Sequence, residues 1–272
     1  MLEELKKEFE VIYNDCVKGD KNENDVQRFM EANTQLIPRI FLSNHGIHLG
    51  TVFLKVLIGN GAYKSDFMLI TKSTADWTCV HIEIENPASK PFTKSGELSS
   101  AFSHAISQVN SWRSLLTRPE QQIAFKERIK KSLLCHMSDN PIGHKFVLVF
   151  GRREDLTQDK MELWRSLSND SFHVMTFDSL FEDDSKANDT LHLGTFMGDG
   201  TVQIRQMNGI FDCGVFGDML KPHDFMFRKD DIKKMIDDRE ARFAAKSDFV
   251  KKVEEPFKNR IIENLKKIPT ID

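Results

Sequence analysis

The stretch "SDFMLITKSTADWTCVHIEIENP", Ser65 to Pro87, decides how this chain folds. Two strand-like runs, 65–72 and 77–85, flank the polar turn "KSTAD". Alternate side chains of a strand point to opposite faces. Val80, Ile82 and Ile84 therefore share one face, and Glu83 and Glu85 share the other. If the two runs pair as a hairpin, Asp66 comes near Glu83, and two or three carboxylates converge at one end of a sheet. Like charges that close repel. Either the face is wet, or something cationic sits there. A hard divalent cation such as Mg²⁺ would remove the repulsion, since it binds through one or two carboxylates plus water and phosphate oxygens. Its chemistry would be activation of water and stabilisation of charge on a phosphoryl group.

Working outward, "TVFLKVLI" (51–58) is a third strand-like run, joined to 65–72 by the Gly-containing turn "GNGAY". Short turns between the three runs predict an antiparallel meander. Upstream, residues 2–17 form an amphipathic helix. A polar break at 18–24 follows, and Asn22 or Asn24 caps a second helix carrying Val26, Phe29 and Met30. Downstream, the loop "ASKPFTKSGE" leads into a helix over 97–117. Its apolar stripe includes Phe102, Ala105, Val109, Trp112 and Leu116, and Trp112 reads as core rather than as a base-stacking platform. Pro119 opens a polar helix over 120–134. Strand 144–154, helix 158–168 and strand 172–181 then predict a parallel crossover pair on one edge of the sheet. The polar run 182–190 reads as a linker. Residues 191–228 give few signals, and 229–268 read as charged helix broken at Pro256. The expected fold class is α/β: a central mixed sheet flanked by helices, with a C-terminal helical extension. The expected divisions are an N-terminal helix (1–20), a core (21–184) and the extension (185–272), whose charged helices could serve oligomerisation, a solvated appendage being the plainer reading.

The chain has 272 residues, 40% hydrophobic and 29% charged, enough for a sizeable core. A formal net charge of −3 argues against bulk attraction to polyanions, but a local basic groove remains compatible with it. Cys16, Cys79, Cys135 and Cys213 are widely spaced with no C-x-x-C pair, which excludes zinc-ribbon and thioredoxin-like sites. With no signal peptide or apolar membrane span in the sequence, the expected location is the cytoplasm, with no membrane partner. No Gly-rich phosphate loop points to a nucleotide cofactor. "HGIH" (45–48) lacks a nearby third ligand for zinc, and Ser99 and Ser100 have no nucleophile-elbow setting.

"SDF", then "IEIENP", then "AFSHAISQVNSW", with "RFMEANTQLIP" upstream and "FVLVFGRRE" and "VMTFDSLF" downstream, resembles the PD-(D/E)xK nuclease superfamily. More narrowly, it resembles the Shedu anti-phage nuclease domain, over roughly residues 20–182. The resemblance implies a restriction-endonuclease-like fold and a Mg²⁺-dependent DNA endonuclease, with Mn²⁺ as an alternative metal. It also implies phage defence and a homo-oligomer. Asp66 matches the motif's metal-binding aspartate and Glu83 its second acid. Gln108 matches a glutamine on the helix behind the site, and Asp25 or Glu23 corresponds to a helical acid of some members. Ser65 replaces a weakly kept proline. Glu85 stands where a lysine is usual. It cannot donate a hydrogen bond, but it could act as base or bind a second cation, and Lys64, Lys90 or Lys94 could supply the missing positive charge. Lys90, Lys94, Arg113, Arg152 and Arg153 are the candidate phosphate-backbone contacts. The rival readings are a non-catalytic nucleic-acid-binding or sensor protein on the same fold, and a purely structural partner-binding module.

Overall fold

The structure, a computed structural model, describes residues 2–59, 61–209, 211 and 221–271. The expected meander is present: β1 (Ile47–Ile58), β2 (Tyr63–Lys72) and β3 (Trp77–Ile84) run antiparallel. Phe67 pairs with Ile82 and Met68 with His81, so Asp66 stands across from Glu83 one step further along the same register. β4 (Ile142–Val149) lies parallel beside β3, and β5 (Phe172–Met175) lies parallel beside β4 at the sheet edge. On the other flank β6 (His192–Phe196) runs parallel to β1. It is followed by β7 (Val202–Gln206), β8 (Phe225–Arg228) and β9 (Thr270–Ile271). The nine strands make one sheet in the order β5-β4-β3-β2-β1-β6-β7-β8-β9.

Each face of the sheet buries its own core. One face carries Phe53, Met68, Ile70, Cys79, Phe146 and Leu148. Against it pack α3 (Ser100–Leu116) and α4 (Pro119–Ile129), through Phe102, Ala105, Val109, Trp112, Phe125 and Ile129. The opposite face carries Val52, Leu54, Phe67, Leu69, Val80, Ile82 and Ile84. It is covered by α1 (Leu2–Lys18) and α2 (Glu23–Ala32), whose Leu5, Phe9, Val26 and Met30 point inward. The alternation read from Val80 to Ile84 is thus the division between two cores. The face bearing His81 and Glu83 is not wet, since His81 is fully buried and Glu83 is only 7% exposed.

Several boundaries differ from expectation. β4 stops at Val149, because Gly151 takes φ +63 and its α-carbon lies against Pro91; an added Cβ would come within 2.9 Å of the Pro91 ring. β5 is only four residues long, and Phe177–Phe181 coil into a 3₁₀ turn that packs Phe177 and Phe181 onto Phe9. α5 (Gln158–Ser166) bridges β4 and β5 as expected. The poorly patterned segment after residue 190 supplies strands β6 to β8, so the C-terminal part extends the sheet and is not helical alone. At the end, α6 (Lys229–Ala244) and α7 (Asp248–Lys266) break at 245–247, not at Pro256. Pro256 sits inside α7 at an exposed position, so the hydrogen bond it cannot donate to the Lys252 carbonyl is lost at the helix surface and not in the core. Cys16, Cys79 and Cys135 are free thiols, and Cys213 lies outside the described residues. Among the described residues no helix is long and apolar enough to cross a membrane.

Candidate functional site

Asp66, Glu83 and Glu85 meet where β2 and β3 run side by side, and two neighbours join them. The first is Lys55. Leu54 pairs with Phe67 and Val56 with Ser65, so Lys55 faces Asp66 across the β1–β2 ladder. Its Nζ lies 2.5 Å from Asp66 Oδ1. The Lys55 backbone is left-handed, with φ +47, a conformation that costs a side-chain-bearing residue about 1–2 kcal/mol. The kink also shifts the strand's alternation: Phe53 before it, and Val56 and Ile58 after it, all belong to the core beneath α3. The second neighbour is Glu23, the first residue of α2. Asn22 caps this helix by accepting from the Asn24 N–H, while Asp25 accepts from the Asn22 N–H. Of the two upstream acids considered, Asp25 is therefore taken up by the cap and by Arg28, and Glu23 is the one that faces the cluster.

The hydrogen bonds fix two of the carboxyls. Asp66 Oδ2 accepts from the Ile84 N–H at 2.9 Å, which ties β2 to the end of β3. Gln108, on α3, donates from Nε2 to Glu83 Oε1 at 2.5 Å. Glu83 Oε2 is buried with no hydrogen-bond partner. An orphaned buried acceptor beside a carboxylate is costly. Burial first, then the charge of Asp66, pushes the Glu83 carboxyl far above the usual carboxylate range, so without a cation it holds a proton. Burial followed by the Asp66 charge raises Glu85 to about 7, and burial with Asp66 and Glu85 raises Glu23 to about 7. Four carboxyl groups thus face one ammonium group, Lys55.

Among the described residues no group of three or more His, Cys, Asp or Glu side chains is arranged to hold a metal ion. The pair Asp66 and Glu83 nevertheless fits the sparse mode of Mg²⁺, which needs one or two carboxylates and otherwise water and substrate oxygens. The orphaned Oε2 of Glu83 supplies the free oxygen for such a cation.

The candidate cations divide into two sets. Arg152 is 7% exposed and points inward, where it pairs with Glu10 and Asp178 and lies 4.3 Å over the Tyr13 ring. Arg113 bonds Ser171 and Asn110 near the start of β5, at the other end of the parallel strands from Glu83 and Glu85. Arg152 is thus taken up within the fold, while Arg113 stays partly exposed. Lys94 is exposed, Lys90 is 75% exposed and 3.5 Å from Asp155, and Arg153 is exposed and pairs with Glu182. Lys64 is exposed at the start of β2. The positive charge at Asp66 comes from Lys55 and not from Lys64, Lys90 or Lys94. Its signal in the sequence was a lone lysine inside the apolar run "TVFLKVLI".

The profile of the family described as "Shedu protein SduA, C-terminal" matches residues 20–181, more than half of the chain. The chain belongs to the Shedu family. Membership points to anti-phage defence. The matched span contains Glu23, Lys55, Asp66, Glu83, Glu85 and Gln108; α1 and everything after the turn at Phe177–Phe181 lie outside it. No curated protein matches the chain.

Proposed function

We propose that this Shedu-family chain is a Mg²⁺-dependent DNA endonuclease of anti-phage defence, built on a restriction-endonuclease-like fold. The observation that carries the reading is the meeting of Asp66, Glu83 and Lys55 where β1, β2 and β3 lie side by side. A Mg²⁺ ion held by Asp66 and Glu83, with Mn²⁺ as a substitute, would supply activated water and charge stabilisation at the scissile phosphate. Glu83 would hold the ion as a carboxylate, and Gln108, donating to its Oε1, keeps that carboxyl group oriented. Lys55 takes the place of the lysine that Glu85 displaces: its ammonium donates to a phosphate oxygen where negative charge develops. Glu85, partly buried and with its carboxyl raised to about 7 by burial and the Asp66 charge, is suited to accept a proton from the attacking water. Lys90, Lys94 and Arg153 are the exposed cations available for the DNA backbone, and a homo-oligomer is the proposed assembly.

The test is a plasmid-nicking assay with calorimetric Mg²⁺ titration on wild type, Asp66→Ala and Glu83→Ala. Both variants should lose Mg²⁺-dependent cleavage and the Mg²⁺ binding heat, with circular dichroism checking that each remains folded, since Asp66→Ala also frees the Ile84 N–H and the Lys55 ammonium. Full cleavage by the double variant would sink the assignment. One observation favours the rival reading, a DNA-binding sensor without catalysis: the Lys55 ammonium already neutralises Asp66 within the fold. That reading expects DNA affinity indifferent to Mg²⁺ and no nicking under any condition.

A further inference from the structure

The α6–α7 hairpin, outside the family-matched span, holds a cavity of about 540 Å³ between its two helices. This is the size of a small-ligand site. Its walls carry four cations, Arg239, Arg242, Lys246 and Lys258, against one carboxylate, Glu254, which pairs with Lys246. Arg239 and Arg242, three residues apart, share one side of α6, and Lys246 follows in the break before α7. Phe243 and Phe257 form the apolar part of the lining, with Lys258 Nζ 4.3 Å above the Phe243 ring. Along α7, Phe249 (79% exposed), Val253 (56%) and Phe257 (66%) repeat every four residues and leave two phenyl faces open to water about 12 Å apart. In a chain of net charge −3 the cavity thus gathers positive charge beside the Phe257 ring, with Phe249 about two turns away along α7.

We infer that this hairpin binds single-stranded nucleic acid, with bases stacked on Phe249 and Phe257 and phosphates held by Arg239 and Arg242. The chemistry favours this occupant over the others. Rings stack on any base, and a row of cations follows a phosphate backbone, which is how sequence-tolerant single-strand sites are built. A second copy placed face to face would set the same cations against each other, because a two-fold contact repeats the same patch on both sides. The carboxylates of an acidic protein segment would meet the cations but would not stack on the exposed rings, which nucleic-acid bases do at every step. The site is separate from the carboxylates: α6 follows β8, four strands along the sheet from β2.

The experiment is fluorescence anisotropy of a labelled 20-nucleotide single strand on the full chain carrying Asp66→Ala, so that nothing is cut. Adding Phe249→Ala and Phe257→Ala should weaken binding at least about tenfold. Adding Arg239→Ala and Arg242→Ala instead should flatten the plot of log affinity against log salt by about 1.4, at about 0.7 for each phosphate no longer neutralised. All four residues lie on the hairpin surface, and circular dichroism checks that the helices persist. Unchanged affinity in both variants overturns the proposal. So does competition by polyglutamate as effective as by unlabelled strand, or a phenylalanine variant that alters only the oligomeric state. Duplex cleavage by the phenylalanine variant with Asp66 intact reads the carboxylate site independently: its absence from that variant and from wild type alike would count against the nuclease reading, not against this one.

Discussion

At the residue scale, Lys55 joins a strained backbone to a charge, and the two can be separated by substitution. Glycine enters the left-handed region freely but loses about 0.5–1 kcal/mol of folding entropy relative to alanine, whereas alanine retains a penalty of about 1–2 kcal/mol there. Lys55→Gly is therefore expected to be more stable than Lys55→Ala by about 0.5–1 kcal/mol in urea unfolding, although both delete the same ammonium. The reverse order would mean that the φ of +47 carries no strain. For chemistry, Lys55→Met should lower cleavage at least about 100-fold, the scale for deleting one donor to a developing anion, while calorimetric Mg²⁺ binding persists. If metal binding and cleavage fall together, the ammonium only shapes the site. Glu83→Gln makes the complementary case. The native carboxyl is protonated without a cation, so the amide should leave stability within about 1 kcal/mol of wild type yet remove the Mg²⁺ heat. Asp66, Glu83 and Glu85 were legible in the sequence because strand alternation and one hairpin place them. Lys55 was not, because its role depends on the β1 register and on a left-handed residue that no periodicity announces.

At the element scale, the meander was legible for a physical reason: its runs are long, β-branched and bounded by polar turns. β6, β7 and β8 were not, because strands of four or five residues set among glycines and phenylalanines leave too few positions for alternation to show. Pro256 misled because a proline at an exposed helix position gives up a hydrogen bond at the helix surface and not in the core. The attachment of α1 is another feature that only tertiary structure reveals. Arg152, just after β4, reaches into a nest of Glu10 from α1, Asp178 from the turn after β5, and the Tyr13 ring. Removing one partner of a buried charge network leaves the others uncompensated and typically costs about 3 kcal/mol or more. Arg152→Ala should therefore destabilise the chain by about 3 kcal/mol and speed amide hydrogen exchange in α1 before any other helix. Arg152→Lys should rescue little, since an ammonium cannot form the forked contacts to both carboxylates. Uniform exchange across all helices would show that α1 is held by Leu5 and Phe9 alone.

Across the whole molecule, two sets of titrating groups act on stability with opposite sign. Burial holds His48, His144 and His192 down to about 4 and also depresses His81. These residues lie on β1, β4, β6 and β3, so the whole sheet senses acid. For a depressed histidine the unfolded chain takes up protons first, so its contribution to stability is full above about 6.5 and is lost as pH falls towards 4. The carboxyls work in reverse. Glu23 and Glu85, raised to about 7, and Glu83, raised further, favour the folded state below the ordinary carboxylate range and oppose it as pH climbs. The total curve mixes both, so one histidine must be read by difference. His48 suits this, because its Nε2 is 2.7 Å from the Ser132 carbonyl oxygen and a glutamine amide can make the same bond without titrating. Between pH 7.5 and pH 5, wild type should lose about 2 kcal/mol relative to His48→Gln in urea unfolding, from one group whose pKa falls from 6.5 to about 4. The carboxyl contributions are common to both chains and cancel. A difference that stays constant across that range would mean that His48 is solvated and titrates normally in the folded chain.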